Sequence, residues 1–214
     1  KIGYLAGLLT ATNPLLIYYS QEGRTYAMTT FFVTASCYFF LKLLKEKTLS
    51  NSIFYTLFTI LYLWTSYLSW FLLLSQLIYI LFKKRYDILI LQIVAGATLL
   101  LWLPSLISSL SIGQSTLLTS PEWGKVVGGL SWKSLPLTWV KFNIGRLSFD
   151  NKIIYGLVVF GLGLIHAFSL KYFQYKKYPA LLVWLIPPVF LGLFASSILP
   201  VYSYFRVLFV LPAY

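Results

Sequence analysis

The stretch at residues 53–82 reads IFYTLFTILYLWTSYLSWFLLLSQLIYILF and contains no charged side chain. As one α-helix it would be about 45 Å long at 1.5 Å per residue, against the ~30 Å hydrocarbon core of a bilayer. Its flanks decide how it folds. Lys42, Lys45 and Lys47 precede it, and Lys83, Lys84 and Arg85 follow it. Basic clusters collect on the cytoplasmic side of membrane segments. One long helix would put these two clusters on opposite sides. Two short helices breaking near Ser66–Ser69 put them together, along with a third cluster at Lys171, Lys176 and Lys177. The stretch is therefore predicted to be a hairpin, with Lys1 and all three clusters cytoplasmic.

The rest of the chain follows the same pattern. Of 214 residues, 59% are hydrophobic, 19% aromatic and 10% charged, whereas a soluble domain carries about 25% charged residues. So few charges cannot cover a soluble surface. Apolar stretches at 2–19, 25–43, 53–66, 68–82, 88–106, 153–170, 179–199 and 206–214 predict an all-α polytopic transmembrane bundle with about eight spans, in one domain over 1–214. A soluble enzyme, a secreted disulfide scaffold and a disordered tail are all excluded. The net charge of +12 would suggest nucleic acid in a soluble protein, but here the basic residues sit between apolar runs and face the bilayer surface instead. The single Cys37 cannot form an internal disulfide and reads as a packing residue. The single His166 reads as a buried histidine bonded to a neighbouring helix. The chain starts at Lys1 without a Met and stops at Tyr214 inside an apolar run, so it is expected to be an internal fragment of a longer membrane protein.

One sizeable non-cytoplasmic loop is expected at about 107–151. It holds Gly113, Pro121, Gly124, Gly128, Gly129 and Pro136, with Trp123, Trp132 and Trp139 among polar residues. Amphipathic rings favour the membrane surface, so short interfacial helices are expected there, the clearer one near Ser134–Leu147.

The most informative polar segment is Asn13-Pro14-Leu15-Leu16-Ile17-Tyr18-Tyr19-Ser20-Gln21-Glu22-Gly23-Arg24-Thr25-Tyr26, a short turn between two apolar helices on the non-cytoplasmic side. Ionisable groups near a membrane are costly. Glu22 and Arg24 must face a polar cavity or each other, and spacing alone leaves both arrangements open.

This run, followed about forty residues on by YLWTSYLSW, resembles the family 39-type membrane glycosyltransferases of the GT-C superfamily, relatives of protein O-mannosyltransferases and lipid A aminoarabinose transferases. Their bacterial members typically read S-P-x-x-x-x-Y-S-Q-E-A-R-M-Y-A here. Tyr19, Ser20, Gln21, Glu22, Arg24, Tyr26 and Ala27 match, while Gly23, Thr25 and Asn13 depart. Thr65-Ser66-Tyr67 keeps the frame of the family's Tyr-Thr-His-Tyr turn without its His. Phe205-Arg206-Val207 with Pro212 keeps the Arg and the later Pro of a third motif.

The resemblance implies transfer of a sugar from a polyprenyl-phosphate donor to a lipid, glycan or protein acceptor. It places that reaction on the non-cytoplasmic face of a bacterial or archaeal inner membrane. It places the activating Asp upstream of Lys1, so the catalytic residue is unknown in this chain. Negative charge develops on the departing phosphate, and a guanidinium fork suits phosphate oxygens better than an ammonium. Arg24 and Arg206 are therefore the expected donor-phosphate contacts. Tyr19, Gln21 and Tyr26 are candidates for sugar hydroxyls, and Glu122 with Trp123 for acceptor or sugar. Glu22 could orient Arg24, touch the acceptor or bind a divalent cation, although no metal-site spacing is present. The rival readings are a lipid-linked oligosaccharide flippase or other transporter, and a non-catalytic membrane subunit.

Overall fold

The computed structural model describes residues 2–120, 122, 131–147, 149–171 and 178–214, and every regular element among them is helical. In chain order these are α1 (Ile2–Ala11), α2 (Pro14–Gln21), α3 (Tyr26–Lys45), α4 (Leu49–Thr65), α5 (Trp70–Phe82), α6 (Tyr86–Ala97), α7 (Leu103–Thr119), α8 (Ser134–Ile144), α9 (Lys152–Leu170) and α10 (Pro179–Ala195). Short 3-10 segments lie at Tyr67–Ser69, Thr98–Trp102 and Leu208–Ala213. Three of the described helices are long and apolar enough to cross a membrane: Tyr26–Lys45, Tyr86–Thr116 and Lys152–Ser169. The remaining helices are shorter.

The stretch at 53–82 does turn back on itself. Ser66 is extended between α4 and the 3-10 turn. The Ser69 hydroxyl donates to the Tyr62 and Ser66 carbonyls, and the Trp70 indole donates to the Leu63 carbonyl at 2.8 Å. These bonds satisfy the carbonyls freed where α4 ends. Deep in the hairpin the Tyr55 hydroxyl donates to Gln76 Oε1 at 2.9 Å, and Gln92 Nε2 donates back to Tyr55 at 2.9 Å. Gln76 Nε2 reaches the buried Cys37 sulfur at 3.5 Å. Four helices, α3 to α6, thus share one uncharged polar network in an apolar core.

The first two basic clusters lie at one end of this bundle. Arg85 Nη1 and Nη2 donate to the last-turn carbonyls of Leu44 and Leu43 in α3, at 3.0 and 2.8 Å. Its Nε and Nη2 also grip both carboxylate oxygens of Asp87 at 2.9 Å. One guanidinium therefore ties the start of α6 to the end of α3.

Three stretches differ from expectation, the last being 206–214, expected as a span but holding only the 3-10 segment Leu208–Ala213. Residues 2–19 form two helices, because Asn13 caps the backbone N–H groups of Leu15 and Leu16 while Pro14 starts α2. This is the favoured chemistry of a helix N-terminus. The segment expected to leave the membrane at residue 107 stays helical to Thr119, continuous with α6. There the hydroxyls of Ser111, Ser115, Thr116 and Thr119 return to carbonyls three or four residues back. Serine and threonine at these positions satisfy themselves inside the helix. A helix is present where one was expected near Ser134–Leu147, as α8.

Candidate functional site

The end of α2 and the turn after it are held by the end of α8. Asn13 Nδ2 donates to the Phe142 carbonyl at 2.8 Å, so the side chain that caps α2 also ties it to α8. Gly145 follows α8 with φ +72° and packs on Pro14, where an added Cβ would lie 3.1 Å from two ring carbons. This close approach delivers Arg146 to the turn. Its Nη1 donates to the Tyr18 hydroxyl at 2.6 Å and lies 3.8 Å from Glu22 Oε1, with the guanidinium 4.5 Å from the Tyr18 ring centroid.

Glu22 therefore stands between two arginines. Arg24 Nε is 3.9 Å from Glu22 Oε2, and Arg24 Nη1 donates to the Tyr26 hydroxyl at 3.4 Å. The Arg24 side chain is 64% exposed and that of Glu22 is 28% exposed. The Tyr26 hydroxyl, followed by Glu22, raises the Arg24 pKa above its ordinary value. On α8, burial and then the nearby Arg146 lower the Lys141 pKa. Glu22 and Arg24 thus pair locally, one of the two arrangements left open by spacing. Arg146 joins them from another element.

Behind the turn lies a knot of aromatic rings. Buried Tyr19 meets Tyr26 edge-on at 5.4 Å and Phe205 at 5.7 Å, and Tyr26 meets Phe205 at 5.3 Å. The Tyr19 hydroxyl donates to Tyr204 at 3.5 Å. The next residue, Arg206, bonds within its own segment. Its Nη1 donates to the Val201 carbonyl at 2.9 Å, and the side chain lines a cavity of about 510 Å³. The walls of that cavity include Trp70, Phe71, Leu106, Leu110 and Leu199, and among the described residues Arg206 is its one charged lining residue.

The two arginines singled out in the sequence therefore flank one ring cluster without sharing a site. Gln21 is exposed at the end of α2, and Glu122 is exposed beyond α7. Trp123 lies outside the described residues. Arg146 was not singled out, because what brings it to the turn is the docking of α8 on α2 and not a local motif. Among the described residues no group of three His, Cys, Asp or Glu could hold a metal ion. His166 is bound rather than available, with Nδ1 on the Leu162 carbonyl and Nε2 accepting from the Tyr214 hydroxyl at 2.6 Å.

The arrangement offers two separate capacities. One is an apolar cavity lined by a fixed cation, Arg206, suited to a lipid that carries an anion. The other is a more exposed carboxylate held between guanidinium and phenol groups, suited to hydroxyl-rich or polar ligands. No protein-family model matches the chain, and neither the curated proteins nor the solved structures give a match.

Proposed function

We propose that this chain is part of a polytopic membrane glycosyltransferase that moves a sugar from a polyprenyl-phosphate donor to a lipid, glycan or protein acceptor on the non-cytoplasmic face. The observation that carries the reading is the apolar cavity with Arg206 as its one charged lining residue among those described. Such a cavity fits an isoprenoid chain ending in phosphate. In the transfer, the acceptor oxygen forms a bond to the anomeric carbon while the bond to the phosphate oxygen breaks. The phosphate keeps the electron pair, and a base takes the acceptor proton. A guanidinium fixed beside the departing oxygen stabilises the charge that develops there. Arg206 is that group, and its bond to the Val201 carbonyl supplies the preorganisation. Glu22, Arg24, Arg146 and the phenols of Tyr18 and Tyr26 lie across the ring cluster and would meet the sugar or the acceptor.

A transporter reading is less well supported. Transporters place ionisable groups within their spanning helices, near the bilayer midplane. Among the described residues every fully buried polar side chain is uncharged.

The test is transfer from a radiolabelled polyprenyl-phosphate sugar in membranes containing the full-length protein. Arg206→Ala and Arg206→Lys are compared at matched expression. Charge-assisted hydrogen bonds contribute roughly 1.5–3 kcal/mol each, so losing one or two should cut turnover by about 10- to 1000-fold. Lys should rescue little, because it lacks the fork. Wild-type turnover in both variants, or translocation of the lipid-linked sugar without transfer, would remove the proposal.

A further inference from the structure

We propose that the outer face of α3 and α4 is a binding site for an anionic phospholipid, its acyl chain lying along stacked aromatic rings and its headgroup at Lys42. The site is separate from the cavity at Arg206 and does not depend on the activity proposed above. The groove is formed by Phe31, Thr34 and Tyr38 of α3 with Phe39, Phe54 and Phe58, and encloses about 520 Å³. Phe39 stacks on Phe54 at an interplanar angle of 20° and on Phe58 at 9°. The rings therefore form one smooth wall. Phe31, Tyr38 and Phe54 remain exposed at 62%, 53% and 42%.

Charge marks which end of the groove holds the headgroup. Lys42 continues the stripe Phe31, Thr34, Tyr38, with its Nζ 4.7 Å from the Tyr38 ring centroid and 5.9 Å from that of Phe39. No carboxylate pairs with it among the described residues. Lys45, Lys47, Lys83 and Lys84 are exposed at the same end of the bundle, against the acids Glu46 and Asp87. An anionic headgroup is the complement of that end.

Length supports the same occupant. The eleven residue steps from Phe31 to Lys42 rise about 16 Å along the helix. One leaflet contributes about half of the ~30 Å hydrocarbon core. The groove thus runs from headgroup level to the midplane, the reach of one acyl chain. The α3 helix is itself one of the three long enough to span. A docked helix is a poorer fit, because close helix packing favours small residues four apart. Here Thr34 is followed at that spacing by Tyr38, and Ala35 by Phe39.

The experiment uses the full-length protein in phosphatidylcholine nanodiscs doped with phosphatidylglycerol that carries a diazirine in its acyl chain. After photolysis, adducts are mapped by mass spectrometry. Adducts are expected on peptides covering 31–42 and 54–58, competed by unlabelled phosphatidylglycerol several-fold better than by phosphatidylcholine. Lys42→Gln should lower adduct yield there about fivefold, the effect of one lysine at an anionic surface, with Lys83→Gln as a control of smaller effect. Phe39→Leu with Phe58→Leu should lower it while thermal stability stays near wild type. Equal competition by both lipids, or a yield unmoved by Lys42→Gln, would overturn the site. So would disulfide-linked dimers through Tyr38→Cys without lipid adducts, which would assign the face to a second copy of the chain.

Discussion

The fold turns on whether Tyr55 and Gln76 touch, and a double-mutant cycle measures that directly. In a continuous helix, residues 21 positions apart would be separated by about 31 Å. In the hairpin their side chains share a hydrogen bond of 2.9 Å. Tyr55→Phe removes the hydroxyl and leaves two fully buried groups without their partner, Gln76 Oε1 and Gln92 Nε2. Hydrogen bonds within membrane bundles average about 0.6 kcal/mol and reach about 1.7, so the single variant should cost about 1–3 kcal/mol. In a Gln76→Leu background only the Gln92 bond remains to be lost, which leaves a coupling of about 1 kcal/mol. The assay is reversible unfolding in mixed detergent micelles, followed by far-UV dichroism, for the wild type, both single variants and the double variant. Distant sites are additive within about 0.3–0.5 kcal/mol. A coupling inside that margin would refute the hairpin, and with it the shared end of the two basic clusters.

Two further outcomes test how α8 meets α2. Gly145→Ala forces a side chain into a backbone conformation at φ +72° and against Pro14 at 3.1 Å. It should cost about 1–3 kcal/mol, read as a fall in the midpoint of thermal unfolding, whereas Gly156→Ala, with open space at its Cβ, should not. Lys141, its pKa lowered first by burial and then by Arg146, should lose its proton at a lower pH than a free lysine side chain. Competitive acylation across a pH series should therefore give a midpoint below that of a free lysine standard, and Arg146→Gln should move it part of the way back up. An unshifted midpoint in both proteins would mean that Arg146 does not approach α8 as described.

What could be read from the sequence depended on whether the deciding signal was local. The break at 65–69 was legible because charge on both flanks constrained it, and because hydroxyl side chains were present to satisfy the freed carbonyls. Segment 107–119 was misjudged because its serines and threonines carry a loop composition, while their hydroxyls in fact bond back within the helix. At 2–19 hydropathy outweighed Asn13-Pro14, a helix-start signal plainly present. Tyr55, Phe58 and Tyr62 share a helical spacing, yet only Tyr55 and Tyr62 are fully buried, with Phe58 in the outer aromatic wall. Spacing alone cannot separate a core face from its flank. The partnership of Arg146 with Glu22 was not legible at all, because it depends on how α8 docks.

That docking changes how the polar turn can work. From the sequence, Glu22 and Arg24 are neighbours that could neutralise each other at a membrane surface and do nothing more. With Arg146 added, one carboxylate faces two guanidiniums at 3.9 and 3.8 Å, both beyond good hydrogen-bond length. The cluster carries a surplus positive charge, and its contacts to Glu22 are loose enough to be exchanged for a ligand's oxygens. Arg206 is the opposite case, fixed by a 2.9 Å bond beside apolar walls. A group that must stabilise charge without rearranging is best held rigidly, whereas groups that sort hydroxyl-bearing partners gain from being exchangeable. That difference favours a division of labour on either side of the Tyr19, Tyr26 and Phe205 rings. Under the proposed transfer, leaving-group stabilisation would fall to Arg206 and recognition to the cluster around Glu22.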